Sequence, residues 1–163
     1  MPDDDISILA KQVGEALQNK KLVVVTAESC TGGYLAAAIT MVPGSSNYFE
    51  QGFITYSNTA KQEMLGVKAD ALQKFGAVSE QVAAEMAVGA LKNSHAQISV
   101  SITGIAGPGG GTPQKPVGTV CFGFARNSSL QKTITKLFSG DREQIRAQAV
   151  VTALKELQQL LLA

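Results

Sequence analysis

The sequence predicts an α/β fold: a three-layer α/β/α sandwich on a mostly parallel mixed sheet of about five strands, with one antiparallel strand. Three features of the chain lead there. Short apolar, β-branched runs alternate with segments whose apolar residues recur at helical spacing, the pattern of parallel strands joined by crossover helices. Two of the runs, ending at Thr26 and Thr103, pass straight into polar turns that contain glycine, as strands of open α/β sheets do at their ligand-binding ends. The last two runs are separated only by Arg126-Asn127-Ser128-Ser129, turn chemistry that makes them a hairpin and so reverses one strand.

Each element has its own local reason. Ile6, Leu9, Val13, Ala16 and Leu17 share a helical face, so residues 6–19 read as an amphipathic helix. Leu22-Val23-Val24-Val25-Thr26 reads as a buried strand, followed by the turn Ala27-Glu28-Ser29-Cys30-Thr31-Gly32-Gly33 and a helix over residues 34–39. Pro43-Gly44-Ser45-Ser46-Asn47 is a loop, and residues 49–56 form a second strand interrupted by Gly52. Ser57-Asn58 caps a helix through Leu65, and residues 69–75 make a shorter one closed by Gly76. Ser79 starts another helix, with Val82, Met86, Ala90 and Leu91 on its core face. Residues 98–103 alternate as a strand and meet the glycine cluster of residues 104–113. Residues 117–125 and 130–138 are the hairpin strands, and Asp141 caps a last helix to about Leu161.

Composition excludes several classes of function. With 163 residues and 45% hydrophobic content, the chain is read as one domain over residues 1–163. Fourteen basic against 13 acidic side chains give a net charge of +1, so no basic field recruits nucleic acid and none is expected as a partner. Met1-Pro2-Asp3-Asp4-Asp5 has neither the basic nor the apolar region of a signal peptide. No apolar run approaches the about 18–20 residues of a membrane span, and the expectation is a cytoplasmic protein without membrane contact. Cys30, Cys121 and the single histidine, His95, are too few and too scattered for a structural zinc site, and no metal is expected.

Ser29 lies in a turn that leads directly into a helix, where N–H groups without intrahelical partners can hold an anion or an oxyanion. Ser29 or Thr31 can equally be a simple helix cap. A serine nucleophile needs a base. His95 falls at a helix end in Asn93-Ser94-His95, a position that suits a solvated residue better than a catalytic one. A lysine whose pKa is lowered by burial is the other option, and Lys61, at the start of the helix after Tyr56-Ser57-Asn58, is the candidate; its alternative is one more solvated helix lysine. Cys30 is a thiol beside the same helix start, ranked below Ser29 for want of a histidine partner. Tyr56 and Tyr34 are each a proton relay or a core aromatic, and only the strand end favours Tyr56.

The second segment, from Thr103 and Gly104 through Gly107 to Thr112, presents many N–H groups with few side chains in the way and can wrap a phosphate, or can be a plain flexible loop. It matches neither the Walker loop nor the dinucleotide glycine pattern, so ATP and NAD gain no support. Arg142 and Arg146 share a face at the start of the last helix, which suits an anionic group or, equally, solvent.

The segments Thr26-Ala27-Glu28-Ser29-Cys30-Thr31-Gly32-Gly33, Gly52-Phe53-Ile54-Thr55-Tyr56-Ser57-Asn58 with Lys61, and Gly76-Ala77-Val78-Ser79 are followed by Ser101-Ile102-Thr103-Gly104-Ile105-Ala106-Gly107-Pro108 and Lys115-Pro116-Val117-Gly118-Thr119-Val120. In this order, and over nearly the whole chain, they resemble the CinA C-terminal domain family in its stand-alone form, without the amino-terminal domain of full-length CinA proteins. The resemblance implies hydrolysis of the carboxamide of nicotinamide mononucleotide to nicotinate mononucleotide and ammonia, a step of pyridine-nucleotide recycling, by a homodimer that needs no metal or organic cofactor. It also implies roles: Ser29 as nucleophile, Lys61 as its base, and Tyr56 as a third member that relays or stabilises. From there we expect N–H groups around Cys30, Thr31, Gly32 and Gly33, or near Thr103 and Gly104, to stabilise the oxyanion. The loop with Gly107 is expected to hold ribose and phosphate, and Arg142 or Arg146 to pair with the phosphate. Two other readings compete: a catalytically silent nucleotide-binding module linked to competence or DNA damage, and a general small-amide hydrolase.

Overall fold

A computed structural model describes the backbone of residues 2–163 and the side chains from Asp5 onward. The run after the first helix, α1 (Pro2–Lys20), becomes strand β1 (Val24–Glu28), and all of its residues are buried, as a strand covered on both faces requires. Next come α2 (Tyr34–Thr40), a 3₁₀ turn at Ser45–Asn47, β2 (Phe49–Ile54), α3 (Asn58–Leu65), α4 (Ala69–Phe75) and α5 (Glu80–Lys92). The chain finishes with β3 (Ile98–Gly104), β4 (Thr119–Arg126), β5 (Ser129–Leu137) and α6 (Arg142–Leu162).

The strands form one sheet in the order β2-β1-β3-β4-β5. β1 runs parallel to both β2 and β3, while β4 is antiparallel to β3 and to β5, so β4 is the one reversed strand the hairpin predicted. Helices α1, α2 and α6 cover one face, where Val13, Leu17, Leu154 and Leu157 meet Val100, Phe122 and Phe124. The opposite face carries α3, α4 and α5, with Val82 and Met86 against Val25 and Ala27. The three predicted layers are therefore present. On the α5 side the sheet is lined by small polar residues: Ser99 and Ser101 donate to the α5 carbonyls of Ala87 and Ala83 at 2.7 and 2.6 Å, which satisfies groups buried between helix and sheet. A Cβ on Gly123 would lie 2.4 Å from the Ala83 carbonyl oxygen, so α5 sits this close only because β4 has glycine there.

Most predicted helix boundaries hold, because their caps are local. Ser57 accepts from the Ala60 N–H, Ser79 from the Val82 N–H, and Asp141 forms a reciprocal capping box with Gln144. Other boundaries move: α1 begins at Pro2 and not at residue 6, β2 ends at Ile54 and not at residue 56, and β4 begins at Thr119 and not at residue 117. β1 begins two residues later than the apolar run and continues through Ala27 and Glu28, because the ladders to β2 and β3 extend to Ile54 and Ile102. The hairpin loop shrinks to Asn127 and Ser128, both at positive φ, the mirror-type turn that matches strand twist. The Pro43–Asn47 loop contains the 3₁₀ turn. Among the described residues no helix is long and apolar enough to cross a membrane.

Candidate active site

Because β1 extends through Glu28, Ser29 is the first residue beyond the strand, and its N–H still donates to the Ile102 carbonyl at 2.9 Å. The turn closes with the Gly32 N–H on the Ser29 carbonyl at 3.0 Å, and Gly32 and Gly33 take φ of +57° and +103°, which side chains other than glycine rarely adopt. Neither Ser29 nor Thr31 caps α2. The buried Glu28 carboxylate does so, accepting from the Thr31 hydroxyl at 2.6 Å and from the Leu35 and Ala36 N–H groups at 2.8 and 3.0 Å. This leaves the Ser29 hydroxyl for another partner.

That partner is Lys61. The first turn of α3 turns it inward, only 1% exposed, and its Nζ reaches Ser29 Oγ at 2.9 Å and the carbonyls of Thr55 and Tyr56 at 3.0 and 3.3 Å. The solvated-lysine reading is therefore excluded. Burial pushes the Lys61 pKa below its ordinary value, and the neighbouring Cys30 opposes this more weakly. Among the described residues no carboxylate pairs with the amine. Burial also pushes the Cys30 thiol up to about 11, against the opposing pull of Arg146, which keeps it protonated and a poor nucleophile at neutral pH.

Ser29, Cys30, Tyr56, Lys61, Thr103, Gly104, Gly107 and Arg142 line one cleft of about 280 Å³, so the two glycine-bearing strand ends do face each other. Tyr56 meets the Ser29–Lys61 pair through its main-chain carbonyl, whereas its hydroxyl is bonded by Arg142 Nη2 at 3.0 Å. Arg142 also donates through Nη1 to the Gly107 carbonyl at 2.8 Å, joining the glycine loop to Tyr56. The Thr103 hydroxyl donates to the Ala77 carbonyl at 2.8 Å. Thr31, Gly32, Gly33 and Arg146 do not line the cleft. Arg146 instead donates to the Cys30 and Thr31 carbonyls at 3.1 and 2.9 Å. His95 is exposed and pairs with Glu50. No cluster of His, Cys, Asp and Glu able to hold a metal occurs among the described residues.

The family profile described as the CinA C-terminal domain matches residues 6–161. The chain belongs to the CinA C-terminal domain family. Among its relatives, the nicotinamide-nucleotide amidohydrolase PncC of Escherichia coli is 52% identical over 159 residues, covering 98% of this chain and 96% of that protein. The putative competence-damage inducible protein of Symbiobacterium thermophilum is 47% identical over 97% of this chain but only 39% of its own length. The crystal structure of the competence/damage inducible protein CihA from Agrobacterium tumefaciens superposes with a TM-score of 0.91 at 43% identity, covering 98% of this chain and 96% of that one. A CinA superfamily protein from Escherichia coli gives the same TM-score at 40% identity, over 99% of this chain and 92% of that one.

Within this CinA-type domain, the motif segments contain Glu28, Asn58, Ala77 and Val78 without marking a role at the site for any of them. Glu28 was readable in principle, as an acidic residue just ahead of a helix start. Ser57 makes the cap of α3, and Asn58, the first residue of that helix, lines the cleft. Ala77 and Val78 carry no chemical signal of their own; they line the cleft because Thr103 ties this segment to the end of β3.

Proposed function

We propose that this chain hydrolyses the carboxamide of nicotinamide mononucleotide to nicotinate mononucleotide and ammonia, with Ser29 as nucleophile and Lys61 as general base. The observation that carries the reading is the buried Lys61 amine, with no carboxylate partner among the described residues, 2.9 Å from Ser29 Oγ in the wall of a cleft. The near-full-length likeness to proteins named nicotinamide-nucleotide amidohydrolase supports the substrate.

The chemistry follows ordinary acyl transfer. Neutral Lys61 takes the Ser29 hydroxyl proton as Oγ bonds to the carboxamide carbon, and the carbonyl oxygen becomes an oxyanion. Collapse of the tetrahedral intermediate breaks the C–N bond while protonated Lys61 returns its proton to the leaving nitrogen, releasing ammonia. Water then attacks the acyl ester with Lys61 again as base, and the C–Oγ bond breaks to restore the serine. Within the glycine loop, the N–H groups of Ala106, Gly107, Gly109 and Gly110 make no backbone hydrogen bond among the described residues, which suits them to ribose and phosphate oxygens. Arg142, in the same cleft, supplies the positive charge for the phosphate. Tyr56 would act through its carbonyl, which orients the Lys61 amine, and through its hydroxyl on Arg142. The reading includes a cytoplasmic homodimer with no nucleic-acid partner.

The test incubates the wild-type chain with nicotinamide mononucleotide and, separately, with nicotinamide, and measures ammonia and the acid product. Equimolar ammonia and nicotinate mononucleotide, with nicotinamide inert, are expected. Equal turnover of nicotinamide would indicate a general amide hydrolase, and binding without ammonia a silent nucleotide-binding module.

A further inference from the structure

The two arginines that open α6 are equivalent by sequence spacing, but the structure gives them different work. Arg142 lines the cleft and Arg146 does not. The Arg146 guanidinium lies 5.9 Å from the Tyr34 ring centroid and directs Nε at the Cys30 carbonyl and Nη2 at the Thr31 carbonyl, at 3.1 and 2.9 Å. A planar fork on two successive carbonyls fixes the orientation of both peptide planes, something a point-charge ammonium cannot do. Those planes belong to the turn that begins at Ser29. On its other side the same turn is held by Glu28 through the Thr31 hydroxyl at 2.6 Å. The nucleophile thus sits at the head of a turn clamped by a carboxylate from β1 and a guanidinium from α6.

We propose that Arg146 is a positioning residue for the Ser29 nucleophile, acting through the Cys30 and Thr31 carbonyls, and not a ligand of the substrate's phosphate. The proposal rests on Ser29 being the nucleophile of the amidohydrolase described above. Its consequence is a split in kinetic parameters: loss of Arg146 misplaces the attacking oxygen, which lowers kcat on the order of 10–100-fold, while KM for the nucleotide stays nearly constant.

The experiment compares wild type, Arg146→Ala and Arg146→Lys for steady-state hydrolysis of nicotinamide mononucleotide and of its dephosphorylated nucleoside. It also measures the rate at which diisopropyl fluorophosphate labels Ser29. Expected are a fall in kcat on both substrates by a similar factor and a matching fall in labelling rate. Lysine should not rescue either, and this variant, which keeps charge and bulk, carries the test if the alanine variant fails to fold. A raised KM confined to the phosphorylated substrate, with labelling unchanged, would overturn the proposal and make Arg146 a phosphate ligand. Full rescue by lysine would also overturn it, by showing that charge alone suffices. If the wild type labels at Ser29 but does not cleave the nucleotide, the amidohydrolase reading fails, and the labelling series still decides the role of Arg146.

Discussion

Replacing Lys61 by methionine, which keeps the length of the side chain and removes its basic nitrogen, separates the chemistry from the packing. An amine at the ordinary value of 10.5 is neutral in only about 1 molecule in 3,000 at pH 7, and each unit by which burial lowers that value raises the neutral fraction tenfold. Burial at 1% exposure is therefore what makes Lys61 usable as a base. Loss of the base should lower kcat/KM by about 10²–10⁴-fold, or about 2.7–5.4 kcal/mol of transition-state stabilisation. In the wild type, activity should rise with pH as the amine loses its proton. Stability should respond in a separate way. The variant leaves the Thr55 and Tyr56 carbonyls without their Lys61 donor, at a cost of about 1 kcal/mol each, but removes a desolvated amine. Because the folded-state pKa is lowered, the unfolded chain binds the extra proton between that value and 10.5, so wild-type stability rises with pH across this interval. Relative to wild type, Lys61→Met should be at its most stable near neutral pH, and that advantage should shrink towards pH 10.5. Ammonia release and urea denaturation across pH measure the two effects. A methionine variant within about tenfold of wild-type activity would refute the assignment of the base.

Two further substitutions probe how α5 is held against α3, which carries this base, and against β5. In α5, a Cβ on Gly89 would lie 1.9 Å from the carbonyl oxygen of Leu65, the last residue of the helix that carries Lys61. Gly89→Ala should therefore cost about 1–3 kcal/mol and lower Tm by about 3–10 °C, with some loss of activity, as read by calorimetry and the ammonia assay. Hydrogen bonds from Thr135 and Thr133 hold the Glu80 carboxyl below its usual range, so its contribution is present above about pH 4.5 and lost as pH falls through the lowered value. Glu80→Gln should destabilise at pH 7 in urea titrations, and its difference from wild type should vanish in acid.

The fold was legible where the cause is local. Ser57, Ser79 and Asp141 announce helix starts, and each cap occurs as an actual hydrogen bond. The reversal of β4 follows from Asn127-Ser128 turn chemistry between two β-rich runs. What was not legible depends on tertiary pairing. Glu28 reads as a turn residue until the ladder to Ile54 and Ile102 makes it the end of β1. Lys61 is one lysine among several by spacing, and only the packing of α3 against α5 beside the end of β1 aims it at a serine 32 positions earlier. Arg142 and Arg146 separate only because β1, α2 and the glycine loop converge beside α6. Family resemblance pointed to Ser29, Lys61 and Tyr56 together. The geometry divides them: two side chains in direct contact, and a tyrosine that meets them through its backbone.

The central claim, attack by Ser29 on the carboxamide, is tested most directly by ammonia release from nicotinamide mononucleotide in Ser29→Ala and Cys30→Ala variants confirmed as folded. Ser29→Ala should lose activity to the assay floor, while Cys30→Ala, which removes a thiol held protonated by a pKa of about 11, should still turn over. Full activity in Ser29→Ala, with loss only in Cys30→Ala, would contradict the account and move the nucleophile to the neighbouring sulfur.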